Sequence, residues 1–225
     1  MLCVRITINK EFKGKDKAME DELLKIFNDD RQQIGVATRE EVHEKGYWHE
    51  TFHCWFLKQE KDELFLYLQL RSDRKKDYPN LLDITAAGHI LATETIQDGI
   101  REINEEIGID VAIEHLISLG TIDYCVVKEN FIDKEIAHVY LYHSNHTLDD
   151  FHLQEEEVSG IVKVALNDFE QLWFGESDSI YIHGFKQEHR EKRVPIDITV
   201  GKEMFVPHDV LFYQTVINRI KEALT

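Results

Sequence analysis

The 225-residue chain is poor in residues that interrupt or staple a fold. It has three prolines and no Gly/Ser-rich or Pro-rich linker, so no seam divides it into composition blocks. The organisation expected is an N-terminal extension over residues 1–33, packed on one domain that spans 34–225 and ends in a helix. The three cysteines, Cys3, Cys54 and Cys125, are an odd number, widely spaced, without a C-x-x-C pair. That excludes a disulfide framework and a cysteine zinc site, and the thiols are expected to be reduced and mostly buried. No run of ~18 apolar residues occurs. The opening "MLCVRITINKEFKGKDK" also lacks the basic start, apolar centre and small-residue cleavage site of a secretory signal. A cytoplasmic protein with no membrane partner is expected. Positive charge is scarce too: 26 Lys and Arg stand against 43 Asp and Glu, a formal charge of −17. Such a field repels nucleic acid polymers but leaves small anions open as partners, because a divalent cation held by carboxylates reverses the local potential.

What is present is enough apolar surface for a packed core, with 43% hydrophobic and 10% aromatic residues. "LLKIFNDDRQQIGVA" reads as two short strands around an "NDD" turn, in preference to an amphipathic helix over 16–27. "TREEVH" fits a short helix with Thr38 as N-cap and Glu41 completing the capping box. "TFHCWFLK" and "ELFLYLQLRS" are aromatic and β-prone, and the charged "QEKDE" between them predicts a hairpin. A strand near 82–87, strands in "LISLGTIDYCVVK", "IAHVYLYHS" and "SGIVKVAL", a helix in "NDFEQLW" capped by Asn167 or Asp168, and a terminal helix in the last 20 residues complete the pattern. Strands in sequence with helices between them imply an α/β or α+β sandwich. A homodimer is compatible with this pattern but not required by it.

The segment "GHILATETIQDGIREINEEIGID", residues 88–110, concentrates the chemistry. Thr95 and Asp98 form a capping pattern that starts a helix just after Glu94. At ~100° per residue, Ile96, Ile100, Ile103 and Ile107 fall in an arc of roughly 60°, a buried stripe that fixes the helix rotation. Glu102, Glu105 and Glu106 then project from one common face, away from the stripe. Like charges at this spacing repel, increasingly as they are desolvated. Either the face is simply solvated, or a hard cation such as Mg²⁺ or Mn²⁺ neutralises a three-carboxylate claw. Gly99 within the first turns costs up to ~1 kcal/mol relative to Ala and signals close backbone packing.

Gly88, Glu94, Arg101, Glu102, Ile103, Glu105, Glu106, Gly108 and Ile109 resemble the Nudix hydrolase signature, G-x5-E-x7-R-E-U-x-E-E-x-G-U, where U is a bulky aliphatic residue. The match departs in two places: six residues, not seven, separate Glu94 from Arg101, and Thr93 stands where the family has Gly. The resemblance implies an α/β/α sandwich with a mixed sheet, and hydrolysis of a small-molecule diphosphate. It implies a metal held by Glu102, Glu105 and Glu106 with the Gly88 carbonyl. Glu94, Arg101 and Gly108 would be structural parts of the motif. The base would be Glu105, Glu102 or a second acid from "LQEEEVSG", for which Glu157 is named. Arg71 and Lys75, in a local positive cluster with Arg74 and Lys76, would meet phosphate oxygens, and His89 is a further substrate-binding candidate.

From about residue 34 to 165 the chain also resembles the Nudix branch of isopentenyl diphosphate isomerases. That family places a catalytic Cys before the Gly-His of the box, where this chain has Ala87, which cannot transfer a proton. His89 and His53 match metal-binding histidines of the isomerases, whereas the first His of that family's pair would fall on Gly46, with His43 and His49 out of register. His49 and His53 are therefore expected to satisfy backbone groups, Trp48 and Trp55 to be core, and His208 to be a residue at a helix start. A hydrolase of a nucleoside diphosphate-X or related metabolite is expected, with an isomerase-like enzyme and a non-catalytic ligand-binding module as alternatives.

Overall fold

A computed structural model of the chain describes residues 4–5, 22–128, 131–188 and 192–225. The strands are β1 (Val4–Arg5), β2 (Leu23–Phe27), β3 (Gln33–Thr38), β4 (Trp48–Glu60), β5 (Glu63–Arg71), β6 (Leu82–Asp83), β7 (Ala86–His89), β8 (Leu116–Lys128), β9 (Phe131–His143), β10 (Val158–Ala165), β11 (Ile180–Glu188) and β12 (Lys192–Val200). The α-helices are α1 (Arg39–Lys45), α2 (Arg101–Ile107), α3 (Leu166–Phe174) and α4 (Val210–Ala223). The strands join in one mixed sheet with the central order β1-β8-β9-β4-β5-β10-β11-β12. β1–β8 and β4–β9 are parallel pairs, and the other central pairs are antiparallel.

Alternation along β4 builds two core layers, because successive side chains leave opposite faces of the sheet. Phe52, Cys54 and Phe56 pack with Ile103 and Ile107 of α2, while Trp55 and Leu57 pack with Phe169 and Leu172 of α3 and with Val216 and Ile220 of α4. The sheet is thus covered by helices on both faces, the sandwich expected from the element pattern.

Local signals mostly hold. The β2–β3 pair forms around residues 28–32, Thr38 accepts from the Glu41 N–H at 3.3 Å, and Glu60 pairs with Glu63 across the predicted hairpin. Residues 16–21 of the alternative helix lie outside the described residues. Helix α3 starts two or three residues earlier than expected, with Ala165 as N-cap, so neither Asn167 nor Asp168 caps it. The β11–β12 hairpin had no counterpart in the sequence reading. Of the cysteines, Cys54 is free and buried, but Cys125 is disulfide-bonded, which overturns the expectation of three reduced thiols. Among the described residues, no helix is long and apolar enough to cross a membrane.

Candidate active site

The site lies where the sheet forks. Residues 56–60 of β4 pair with β5, but Thr51–Cys54 pair with His89–Ala86 of β7 instead. The outer part of β5 turns to β6 and β10. Thr85 pins the branch point: its hydroxyl donates to the Tyr67 carbonyl at 2.5 Å and accepts from the Phe56 N–H at 3.0 Å. A cleft of about 450 Å³ opens beside this fork. Glu102, Glu105, Glu106, Gly88, His89, Arg101, Arg71, Lys75 and Glu157 all line it, so most sequence-predicted site residues converge. Glu94 and Gly108 do not reach the cleft and act on the backbone around it.

One wall is the box. The helix begins with a 3₁₀ turn over Ile96–Ile100, capped where Asp98 accepts from the Thr95 N–H at 2.8 Å, and becomes α-helical at Arg101. A 3₁₀ turn rises ~2.0 Å per residue against ~1.5 Å in an α-helix, so fewer residues span the same distance. The box is one residue short here, yet Glu94 still reaches Arg101, accepting from its Nε at 2.6 Å and from the Leu91 N–H at 2.8 Å. Gly99 is required by packing, since a Cβ there would lie 2.6 Å from the Phe52 Cβ. Gly108 ends α2 in the left-handed region at φ 69°.

Glu106 is buried, Glu102 is largely covered with its side chain 12% exposed, and Glu105 sits on the rim with its side chain half exposed. The claw is therefore two carboxylates largely withdrawn from solvent and one at the edge. Arg101 Nη1 contacts Glu102 at 2.6 Å and Glu105 at 2.8 Å. Glu106 accepts from the Ala87 N–H at 3.0 Å and from Gln69 at 3.3 Å. Both withdrawn carboxyls are pushed well above the usual carboxylate range, chiefly by desolvation; the neighbouring Glu106 charge adds to the effect at Glu102, and Glu157 adds to it at Glu106. Gly88 leaves room for this: a Cβ there would lie 2.2 Å from the Glu102 carboxyl carbon.

The opposite wall carries the positive charge. Lys75 is ion-paired with Glu157, and Arg74 with Glu156 at 2.9 Å. Arg71 is more committed than the sequence suggests. It donates to Asp83 at 2.8 Å and to the Asp77 carbonyl at 3.2 and 2.9 Å, so it clamps the 72–80 loop as well as lining the cleft.

A second constellation gathers around His89 of β7, and its His43, His89, Asp133 and Glu135 line the same cleft. Ligand atoms of His43, His49 and His89 lie within 4.8 Å of one another, and so do those of His49, Asp133 and Glu135. His49 Nε2 and Asp133 Oδ1 are buried without hydrogen-bond partners, 3.6 Å apart. Desolvation, helped by the neighbouring imidazoles, pushes His49 down to about 4. His89 is also pushed down to about 4, again by burial first. Burial pulls His43 down as well, but the Asp133 carboxylate outweighs it and shifts this imidazole the other way, upward. Imidazoles beside carboxylates are a donor set for a transition metal. His53 stays outside this set and pairs with Glu135 at 3.1 Å.

The NUDIX domain model matches residues 47–183. The chain belongs to the Nudix family. An uncharacterized Nudix hydrolase of Clostridium acetobutylicum is 37% identical over 91% of this chain and 99% of its own length. Nudix hydrolase 3 of Arabidopsis thaliana is 33% identical over 73% of this chain and 22% of that protein. An isopentenyl-diphosphate Δ-isomerase of Aliivibrio fischeri is 30% identical over 70% of this chain and 82% of that enzyme. Among solved structures, the NUDIX domain of Shewanella oneidensis NrtR complexed with ADP ribose superposes with TM-score 0.50 at 14% identity, covering 78% of this chain and 88% of that one. A Deinococcus radiodurans protein gives 0.51 at 17% identity, covering 66% and 86%. Both neighbours share the fold.

Within this Nudix chain, the structure corrects the register argument about the histidines. His43 and His49 do converge with His89, despite their spacing, because α1 ends at Gly46 in the left-handed region (φ 68°) and folds back onto β4. Asp133 and Glu135 were missed, since nothing local marks two acids on a strand as site residues. Ala87 lines the cleft, and Cys54 on the adjacent strand is fully buried in the α2-side core.

Proposed function

We propose that this protein is a divalent-metal-dependent hydrolase of a diphosphate linkage in a nucleoside diphosphate-X or related metabolite. The observation that carries the reading is the pair of desolvated carboxylates, Glu102 and Glu106, facing the side-chain-free Gly88 across a cleft from Lys75 and Arg74. Two like charges largely withdrawn from solvent, with a Gly-sized gap beside them, fit a hard cation. Glu102, Glu106 and rim Glu105, with the Gly88 carbonyl, would hold Mg²⁺ or Mn²⁺. Bound there, such an ion supplies charge neutralisation and a more acidic water.

The chain's own groups divide the remaining work. Lys75 and Arg74 bind phosphate oxygens, and Arg101 with Glu94 keeps the helix start rigid. Water forms a new bond to phosphorus as the bridging P–O bond breaks, and the departing phosphate oxygen takes the electron pair. The water's proton passes to Glu157, which lies beside Glu106 and is freed when Lys75 turns to substrate phosphate; Glu105 and Glu102 are the other candidates. Glu22, from the N-terminal extension, bonds His89 at 3.2 Å, which supports reading that extension as packed on the domain.

The test is release of phosphate or monophosphate with Mg²⁺ or Mn²⁺ from a panel of nucleotide sugars, dinucleotides, coenzyme diphosphates and prenyl diphosphates. Activity on at least one class should fall by at least about a hundredfold in Glu106→Gln. Full activity in that variant would remove the claw from the reaction. A second reading, an isomerase-like enzyme, is favoured by the imidazole–carboxylate set and opposed by the missing thiol. It predicts deuterium uptake from D₂O into isopentenyl diphosphate, and no uptake with pure protein ends it.

A further inference from the structure

The cleft has a third wall that neither metal chemistry nor phosphate binding uses. It is made by β6, the loop through Tyr78, and the segment leading into α4. That segment is held by a parallel bridge from Phe205 to Leu82, a Val206 N–H donated to the Leu82 carbonyl at 2.9 Å, and the Tyr213 hydroxyl donated to the Val206 carbonyl at 2.7 Å. It presents Val206, Pro207 and His208 to the cleft.

The His208 side chain is only 6% exposed. Its Nε2 faces Asp83 Oδ1 at 3.4 Å, and Asp83 is fixed in turn by Arg71 at 2.8 Å and the Ile84 N–H at 2.9 Å. With the Nε2–H donated to Asp83, a neutral His208 ring presents the lone pair of Nδ1 as an acceptor. That Nδ1 is buried and has no partner. The ring is packed against Tyr124 at 5.0 Å and Phe212 at 4.7 Å between ring centroids. Across the same wall the Tyr78 hydroxyl is also buried and unpartnered. Tyr78 holds a left-handed backbone, φ 53°, a conformation that residues with a side chain rarely adopt. Lys128 Nζ lies 3.5 Å from the centre of its ring. An acceptor and a hydroxyl, both desolvated and both lining one cavity with Ile84, Val126 and Val206, form a prepared hydrogen-bonding pair with apolar flanks.

We propose that His208 and Tyr78 form the specificity subsite for the organic group of the substrate, and that this group carries an amide-type N–H and C=O. The N–H meets His208 Nδ1, the Tyr78 hydroxyl meets the C=O, and the flat amide lies between the aliphatic side chains. A hydrocarbon group would leave both polar atoms buried and unpaired, so the subsite selects against prenyl chains. Both groups occur in the lactam of a nucleobase, where they lie side by side, and in the open-chain amides of a pantetheine arm, where the trans bond points them to opposite sides. This inference rests on the diphosphate-hydrolase reading and names the class of substrate that site takes.

The experiment measures kcat/KM with Mg²⁺ for GDP-glucose and UDP-glucose, for coenzyme A, and for isopentenyl diphosphate, which has no amide. It uses the full chain as wild type, Tyr78→Phe and His208→Phe. One of the amide-bearing classes should be preferred; the nucleotide sugars identify a nucleobase, and coenzyme A identifies the pantetheine arm. Either variant should lower kcat/KM for the preferred class by about 10- to 100-fold, mainly through KM. Tyr78→Phe removes a single atom, so it guards against misfolding of the His208 variant. Equal kcat/KM in all three proteins, or preference for isopentenyl diphosphate, overturns the subsite. If hydrolysis still depends on Glu106 in that case, the hydrolase reading survives alone, whereas hydrolysis indifferent to Glu106→Gln means that reading has failed.

Discussion

The carboxylate wall and the imidazole set share strand β7 and differ in almost everything else. Gly88 faces Glu102, while its neighbour His89 joins His43 and His49. The carboxylates come from one stretch of helix, whose rotation is fixed by isoleucines buried on its other side. The imidazole set draws on α1, β4, β7 and β9, and it exists only once the β4–β9 and β4–β7 registers are made. A site written on one helix depends on local periodicity, whereas a site assembled from four elements depends on the whole sheet. The first needs oxygen ligands and suits a hard cation. The second offers three imidazoles, which suit a softer one.

The largest effect should come from setting one wall against the other. Cobalt(II) bound to imidazoles gives visible absorption, so titration with Co²⁺ reads the His set, and Mg²⁺-dependent hydrolysis reads the carboxylates. His49→Ala should weaken the Co²⁺ signal by roughly 10- to 100-fold or more, and Glu106→Gln should leave it in place. In the hydrolysis assay the order reverses. If both variants lose both signals in equal measure, the two walls act as one site and the comparison collapses.

An intermediate effect is expected from Gly88→Ala, which sits on the shared strand. The new Cβ would lie 2.2 Å from the Glu102 carboxyl carbon, so Glu102 must move. Overpacking of this kind costs about 1–3 kcal/mol, equivalent to a Tm lower by several degrees in a chain of this size. Hydrolysis should fall at least about tenfold, while Co²⁺ binding at His89 changes less. Loss of the Co²⁺ signal with hydrolysis retained would contradict the assignment of Gly88 to the carboxylate side.

The same contrast explains what could be read from the sequence. Helix α2, its isoleucine stripe, the Gly99 contact and the order of most strands follow from short-range spacing and were legible. The 3₁₀ start at Ile96 was not, and it is what lets a box one residue short still join Glu94 to Arg101. His49 does meet a backbone group, the Tyr47 carbonyl at 3.3 Å, but its convergence with His43 and His89 was not legible, because residue counting assumes a uniform path and the left-handed turn at Gly46 breaks that path. Asp133, Glu135 and Tyr78 carried no local signal. His208 reads from sequence as a helix-entry residue, and it does stand just before the α4 N-cap Asp209, but its burial against Asp83 depends on a contact 125 residues away in sequence.

The smallest predicted effect belongs to Asp83, which supports the floor under both the basic wall and His208. Burial alone would raise its pKa, but the His208 hydrogen bond, the Arg71 charge and the Ile84 N–H outweigh burial and hold it at about 2, against an ordinary 3.8. Because the folded value lies below the unfolded one, the contribution to stability is complete above about pH 4 and drains away as pH falls toward 2. A shift of this size corresponds to about 2 kcal/mol. Asp83→Asn should therefore be less stable than wild type at pH 7 by about that amount in urea unfolding, with the gap closing as the pH approaches 2. Chelating divalent metal should leave this pH window where it is, since the Asp83 partners are Arg71, His208 and a backbone amide. If the window moves when metal is removed, the floor is coupled to the carboxylate wall, and the two must be treated as one electrostatic unit.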